Sequence, residues 1–355
     1  MKILAIDLGK NKSVFVDYVP GAAEPTYGKI GTNACEVQKL LERSAPDRLV
    51  IEAGPASGWV HDLAEKLGIP VQVANGNDER WHWKAVKHKT DRTDALKLAQ
   101  LSEMNSLPAV HVPSAKVREW RSLIEYRHAL VQRRTAIKNS IRAIYERQGL
   151  ALPSAKAAWS QAAVEELTRE AEEGAASAIW LLQVQCELQQ LQTVQTQIQQ
   201  LETKLAELGK ANPAVQLLQT APYVGPRLSE AVVAILDDPH RFGNSRQVGC
   251  YAGLTPRQWQ SGQSDRQGHI SKAGNKLLRK LLTEIAWLGV RNKTWMLQVY
   301  ENVRRGSDKR KKIAIVAVAR RLLVKLWAML RDGTEWTDDK ISVRQAASMA
   351  VPGAT

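Results

Sequence analysis

The chain has 355 residues, enough for two or three domains at roughly 150 residues each and for a sizeable hydrophobic core. Hydrophobic residues at 44% and charged residues at 24% exclude wholesale disorder and a collagen-like repeat. Fifty Lys plus Arg against 36 Asp plus Glu leave a net charge of +14, which points to polyanionic partners, nucleic acid foremost.

In chain order, residues 2 to 6 (KILAI) and 13 to 18 (SVFVDY) are apolar or β-branched runs joined by a Gly/Lys/Asn turn, so the chain opens as a hairpin. A third strand is expected over Thr26 to Ile30, a helix over Cys35 to Leu41, a buried strand at RLVIEAG, a helix from Ser57 to Leu67 and a strand at Val71 to Ala74. The order β-β-β-α-β-α-β describes a mixed sheet flanked by helices, and a ribonuclease-H-like arrangement is one known solution. Thr93 to Met104 reads as a helix; Pro108 and Pro113 then break the chain, and Ser114 caps a long helix to about Gln148. That helix is amphipathic and basic, carrying Arg118, Arg121, Arg127, Arg133, Arg134, Lys138, Arg142 and Arg147.

From Val184 to Leu208 apolar residues recur at steps of three and four amid glutamines, the pattern of a coiled-coil seam. The seam is read either as a dimerisation element or as an intramolecular helical hairpin with the Ala-rich helix at 155–175. The remainder reads as helical and Gly-punctuated, with a basic block from Arg304 to Lys312 and an unstructured tail. Three parts are expected: residues 1–155, an α/β catalytic domain that includes the basic helix; 156–209, the coiled-coil linker; and 210–355, a helical domain. Cys35, Cys186 and Cys250 show no ligand spacing, so neither a disulfide framework nor a structural zinc is indicated. The N-terminus reads as a strand, not a signal peptide, and the longest later apolar stretch, Ile313 to Ala319, is too short to cross a bilayer. A cytoplasmic, nucleoid-associated protein without membrane contact is expected.

Two constellations carry chemistry. Asp7 ends the first strand and Glu52 the RLVIE strand, and in a ribonuclease-H-like sheet those strands are neighbours, so both carboxylates face one crevice. Like charges this close call for a divalent cation, and hard oxygen ligands select Mg²⁺ or Mn²⁺. Asp91 and Asp94 lie three apart at a helix start, on one face; alone they are equally an N-cap and an ordinary acidic first turn. As a quartet of metal ligands the four suit two-metal phosphodiester chemistry, with ions ~3.5 to 4 Å apart. The second constellation is GCYAGLTPRQWQSG at 249–262 followed by GHISKAGN at 268–275, dense in Gly, Ser, Arg and Lys like a phosphate-contacting loop. Ser261, Ser264, Ser271 and Thr255 compete as its nucleophile.

Asp7, Glu52, Asp91 and Asp94, followed by AGLTPRQWQSG and GHISKAGNKLLRKLL, resemble the insertion-sequence transposases called the IS-one-ten or DEDD family, over nearly the whole chain. The resemblance implies a RuvC-like N-terminal domain and a C-terminal transposase domain whose serine falls on Ser261. It also implies a recombinase that works with a structured bridge RNA pairing with donor and target DNA. In that mechanism Ser261 attacks a scissile phosphate to give a 5′-phosphoserine, assisted by Mg²⁺ on the four carboxylates. Arg257, Lys272 and Lys276 would hold the strand near Ser261, and Arg133, Arg134 and Lys138 would contact nucleic acid from the basic helix. Dimers pairing into a tetramer would form a composite site. The family's helix-hairpin-helix-like PGIG segment corresponds to Pro222-Tyr223-Val224-Gly225, with Tyr where Gly is usual and Gly225 left to supply a positive-φ turn.

Trp81 and Trp83 could stack on bases or pack in a core, and His88 could contact phosphate. The rival readings are an actin-like or sugar-kinase-like ATPase, suggested by AIDLGKNKS but lacking the second phosphate loop, a RuvC-like nuclease without serine chemistry, and a non-catalytic RNA-binding scaffold.

Overall fold

A computed structural model describes residues 1–22, 24–76, 90–153, 157–174, 178–261 and 264–337. The expectations for Trp81, Trp83, His88, Gly262 and the tail from 338 onward fall outside the described residues. The chain divides into two compact units, Met1–Arg118 and Glu119–Thr355; the first boundary inferred from composition stood at residue 155.

In the first unit, β1 (Ile3–Asp7), β2 (Lys12–Tyr18), β3 (Thr26–Gly31), β4 (Arg48–Glu52) and β5 (Val71–Ala74) form one sheet in the order β3-β2-β1-β4-β5. The first three strands are antiparallel, whereas β4 runs parallel to β1 and β5 parallel to β4. β1 is apolar from Ile3 to Ile6 because both of its faces are covered there. Leu4, Ile6, Phe15, Leu49 and Ile51 pack against Val37, Leu40 and Leu41 of α1 (Ala34–Ser44) and Val60 and Ala64 of α2 (Ser57–Lys66). On the opposite face Ile3, Ala5, Val16 and Val50 meet Ala95, Leu98, Ala99 and Leu101 of α3 (Asp91–Glu103). The mixed α/β class expected from the element order is the one observed.

Among the described residues the second unit is helical apart from one hairpin. Most of α4 (Ala115–Arg147) lies here, its start capped by the Ser114 hydroxyl, which accepts from the Val117 N–H. α4 packs with α5 (Gln161–Gly174) and α6 (Ile179–Lys210) through Ile137, Ile141, Ile144, Leu167, Val184, Leu188, Leu191 and Ile198. The seam of α6 is therefore filled by helices of the same chain, the intramolecular alternative; pairing of two protomers through this seam would require that packing to open.

A further core gathers α7 (Pro213–Gln219), α8 (Pro226–Leu236), α9 (Ser245–Tyr251), α10 (Lys276–Arg291) and α11 (Trp295–Arg304) around the Ala-, Val- and Leu-rich α12 (Lys311–Asp332). Between α9 and α10 stands an antiparallel hairpin of β6 (Pro256–Ser261) and β7 (Ser264–Ile270), in a segment the composition suggested was a loop among helices. The turn before α8 also corrects an expectation. Gly225 has φ −88° and caps α8, and the left-handed residue is Tyr223 at φ 64°, the position where glycine would be free of the Cβ penalty. Among the described residues no helix is long and apolar enough to cross a membrane.

Candidate functional site

β1 and β4 run side by side with Ile6 opposite Ile51, so the next residues, Asp7 and Glu52, end adjacent strands at the same edge of the sheet. Side chains alternate along a strand. Because Ala5 and Val50 face α3 while Ile6 and Ile51 face α1 and α2, Asp7 and Glu52 fall on the α3 face, and both are half-buried.

The direction of α3 follows from its far end. Arg48, at the start of β4, donates to Ser102, whose hydroxyl donates to Gln72 near the start of β5; the Tyr18 hydroxyl, level with the first residue of β1, donates to Glu103. The helix C-terminus is thus held where β1, β4 and β5 begin. Thirteen residues of helix span about 20 Å, and a five-residue strand about 17 Å. The N-terminus of α3 accordingly reaches the edge where Asp7 and Glu52 stand. Thr90 is the N-cap, in a reciprocal box with Thr93, so Asp91 is not the cap. Asp91 and Asp94 occupy the first turn, in line with Ala95 and Leu98 on the sheet-facing stripe. Asp91 and Asp94 therefore begin α3 at the corner of the sheet where Asp7 and Glu52 end their strands, and no three of these four carboxylates have ligand atoms within 4.8 Å of one another.

Gly76 completes that corner. A Cβ there would lie 1.9 Å from Oε1 of Glu52, so the carboxylate rests in space that any larger residue would fill. Carboxylate oxygens are hard donors of the kind that fit a Mg²⁺ or Mn²⁺ site. Among the described residues the trio whose possible ligand atoms lie within 4.8 Å of one another is a different one, His61, Asp62 and Glu65 on α2. There Asp62 is engaged by Arg118; burial opposes its ionisation, but Arg118 and His61 outweigh it and hold the carboxyl below its usual range. That trio is explained as an anchor for the start of α4.

Ser261 is the last residue of β6, exposed like the rest of that strand. The hairpin stands on two crossing loops. Gly253 (φ 68°) and Gly274 (φ 76°) approach so closely that a Cβ on either would lie 1.9 Å from a carbonyl oxygen, of Ala273 and Tyr251 respectively. Arg279 donates to the carbonyls of Ala252, Ala273 and Gly274 and clamps the same crossing. The glycines of the AGLTP and KAGN segments are thus needed for close backbone passage. Arg257 donates to the Ser271 carbonyl at 3.4 Å, and Lys272 and Lys276 are exposed at the foot of the hairpin.

Much of the basic character of α4 has a structural use. Arg121 donates to the carbonyls of Ala234 and Ile235 at the end of α8, Arg127 pairs with Glu202, and Lys138 and Arg142 lie over the Trp159 ring at 4.9 and 5.6 Å. Of the three residues assigned to nucleic acid on this helix, Arg133 is exposed, Arg134 half-exposed and Lys138 partly covered by Trp159. Sequence reasoning overlooked Gly76, Arg279 and the β6–β7 pairing; the alternation of Arg257, Trp259 and Ser261 was the available signal for the last.

Residues 4–147 match a DEDD transposase family model, and residues 215–301 match the model described as "Transposase IS116/IS110/IS902 family". The transposase for insertion sequence element IS1111A of Coxiella burnetii is 31% identical over 79% of this chain and 77% of that one. A protein of Pseudomonas aeruginosa described as a family 20 transposase is 29% identical over 93% and 97%. Among solved structures, RuvC of Thermus thermophilus aligns over 31% of this chain and 100% of that one, with 15% identity and a TM-score of 0.23. The two family models and the transposase relatives define a DNA transposase, an enzyme that cuts and rejoins DNA strands. The chain belongs to the IS116/IS110/IS902 transposase family.

Proposed function

We propose that this transposase recombines donor and target DNA through a 5′-phosphoserine at Ser261, with Asp7, Glu52, Asp91 and Asp94 holding Mg²⁺ or Mn²⁺. The observation that carries the reading is the placement of Asp7 and Glu52 on neighbouring strand ends with the acidic first turn of α3 brought to the same edge. A metal bound there would supply Lewis-acid activation and neutralise charge on the phosphate. The carboxylates position it, and Glu52 keeps its place against Gly76.

Ser261 forms a phosphoester bond through Oγ while the bond to the 3′-oxygen breaks, and the proton lost by Oγ balances the one gained by that oxygen. Because one phosphoester replaces another, rejoining by a second 3′-hydroxyl needs no ATP. The family resemblance supports two further parts of the proposal: a structured guide RNA, to which a chain of net charge +14 is suited, and a tetramer in which the serine of one protomer serves the carboxylates of another.

A suicide DNA substrate tests the covalent step. Wild-type protein, Ser264→Ala and Ser271→Ala should form a protein–DNA adduct that Ser261→Ala and Asp7→Ala do not. An adduct surviving Ser261→Ala, or cleavage that continues by hydrolysis without that serine, overturns the phosphoserine assignment. Sequencing of RNA that co-purifies with the full chain tests guidance: one discrete structured species is expected, and its absence rejects that part.

A further inference from the structure

The hairpin face that bears Ser261 also carries Trp259 and Arg266, to which the strand-transfer reaction gives no role. Residues two apart on a strand share a face, and residues directly paired across an antiparallel ladder share it too. In the observed register Ser261 pairs with Ser264 and Trp259 with Arg266, while the irregularity lies nearer the foot, between the Pro256 and Gln258 pairs. Arg257, Trp259, Ser261, Ser264 and Arg266 thus form one face, and all five are exposed.

Trp259 is 58% exposed, well above the 36% of Trp287. An indole this open to water is costly unless something covers it. Its seat is built: the ring lies over Gly268, where an added Cβ would come within 2.3 Å of it. The ring lies against its own hairpin, on a face that also carries Arg257 and Arg266.

We propose that Trp259 is a stacking platform for an unpaired nucleobase of the DNA strand bound at Ser261, with Arg266 contacting the adjoining phosphate. The inference rests on the reading of Ser261 as the reacting residue only for where the strand lies. Two residues of strand put Trp259 about 7 Å from Ser261, a distance within one nucleotide of the scissile phosphate. Every base has a π-face, so aromatic stacking serves any sequence, and the two arginines supply the charge a phosphodiester backbone requires. Five positions with two cations, two hydroxyls, one indole and no carboxylate suit a nucleic-acid strand better than an apolar protein surface. A base inside a duplex offers no open π-face, so the platform selects strands that are single, flipped or frayed.

The test uses the full chain and three probes of one mixed sequence: a labelled DNA single strand, its duplex, and the RNA single strand, each titrated over a range of salt. Trp259→Ala should weaken binding of the DNA single strand about 5- to 150-fold with its salt slope unchanged, and affect the duplex little. Trp259→Phe, which keeps a π-face, should recover most of the loss, and Gly268→Ala should mimic the loss by unseating the ring. Arg266→Ala should instead lower the salt slope for the single strand by about 0.7. Wild-type affinity in Trp259→Ala, equal losses for single strand and duplex, or a Phe variant no better than Ala would overturn the proposal; a loss confined to RNA would overturn the choice of DNA. Ser261→Ala separates the two ideas, because it should leave single-strand affinity intact while abolishing the adduct. Loss of stacking and failure of serine chemistry are therefore read in different assays.

Discussion

Gly76 and Glu52 are in van der Waals competition for one small volume: a methyl group on the former would sit 1.9 Å from Oε1 of the latter. The backbone of Gly76 does not need positive φ, so Gly76→Ala is not penalised by the chain and displaces only the end of a flexible side chain. The expected outcome is a melting temperature close to that of the wild type, with strand transfer and Mn²⁺ binding reduced as in Glu52→Ala. Isothermal titration with Mn²⁺ alongside thermal denaturation checks this; undiminished Mn²⁺ binding would show that the Glu52 carboxylate is not held there for a metal.

At the foot of the serine hairpin the opposite balance holds. Gly274→Ala places a Cβ 1.9 Å from the Tyr251 carbonyl oxygen at a left-handed position, combining a conformational cost of about 1–2 kcal/mol with a backbone clash. A total near 3 kcal/mol is expected. Gly306 is also left-handed, at φ 72°, but meets nothing within 4 Å, so Gly306→Ala should cost only about 1 kcal/mol. Urea denaturation of the two variants measures the difference, which is the contribution of the loop crossing itself.

Leu191 is fully buried among residues of α4, α5 and α6 in its own chain. Leu191→Ala should destabilise by about 2–5 kcal/mol, by an amount independent of protein concentration. A loss that shrank as concentration rose would mean that the seam is closed between protomers instead.

Glu230 is 1% exposed on α8 and is paired with Arg227. Desolvation raises its pKa, and Arg227 only partly offsets that. A raised carboxyl pKa means that the folded state binds the proton more tightly than the unfolded state, so this group's stabilising contribution is present at low pH and lost as pH rises through the folded value. Arg227→Ala leaves the carboxylate without its partner and should cost about 3 kcal/mol at pH 8, less near pH 5. Glu230→Gln removes the pH dependence. Denaturation midpoints of both variants at the two pH values test the sign.

The sheet was legible because its information is local. Buried apolar runs, a period of two and Gly or Pro punctuation mark strands wherever they fall, and these placed Asp7 and Glu52 at strand ends. The hairpin of β6 and β7 was not legible. Its strands are rich in Gln, Ser and Arg and exposed along their length, so no hydrophobic alternation marks them, and the crossing of Gly253 with Gly274 joins residues 21 positions apart. The partners of the basic helix were not legible either: Arg121 and Arg127 belong to one amphipathic basic pattern in one dimension, and only the fold shows that α8 and α6 supply a carbonyl cap and a carboxylate that engage them.

Sequence alone nominated the candidate residues: four acids in an order and element context that suits metal ions and, through the family resemblance, a serine in a glycine-rich segment. Tertiary structure decided the rest. It set the direction of α3, whose far end is tied by Ser102 and Glu103 to the start of the sheet, and so brought Asp91 and Asp94 to the edge of Asp7 and Glu52. It also chose the partner of the α6 seam, since an apolar stripe specifies burial but not the chain that provides it.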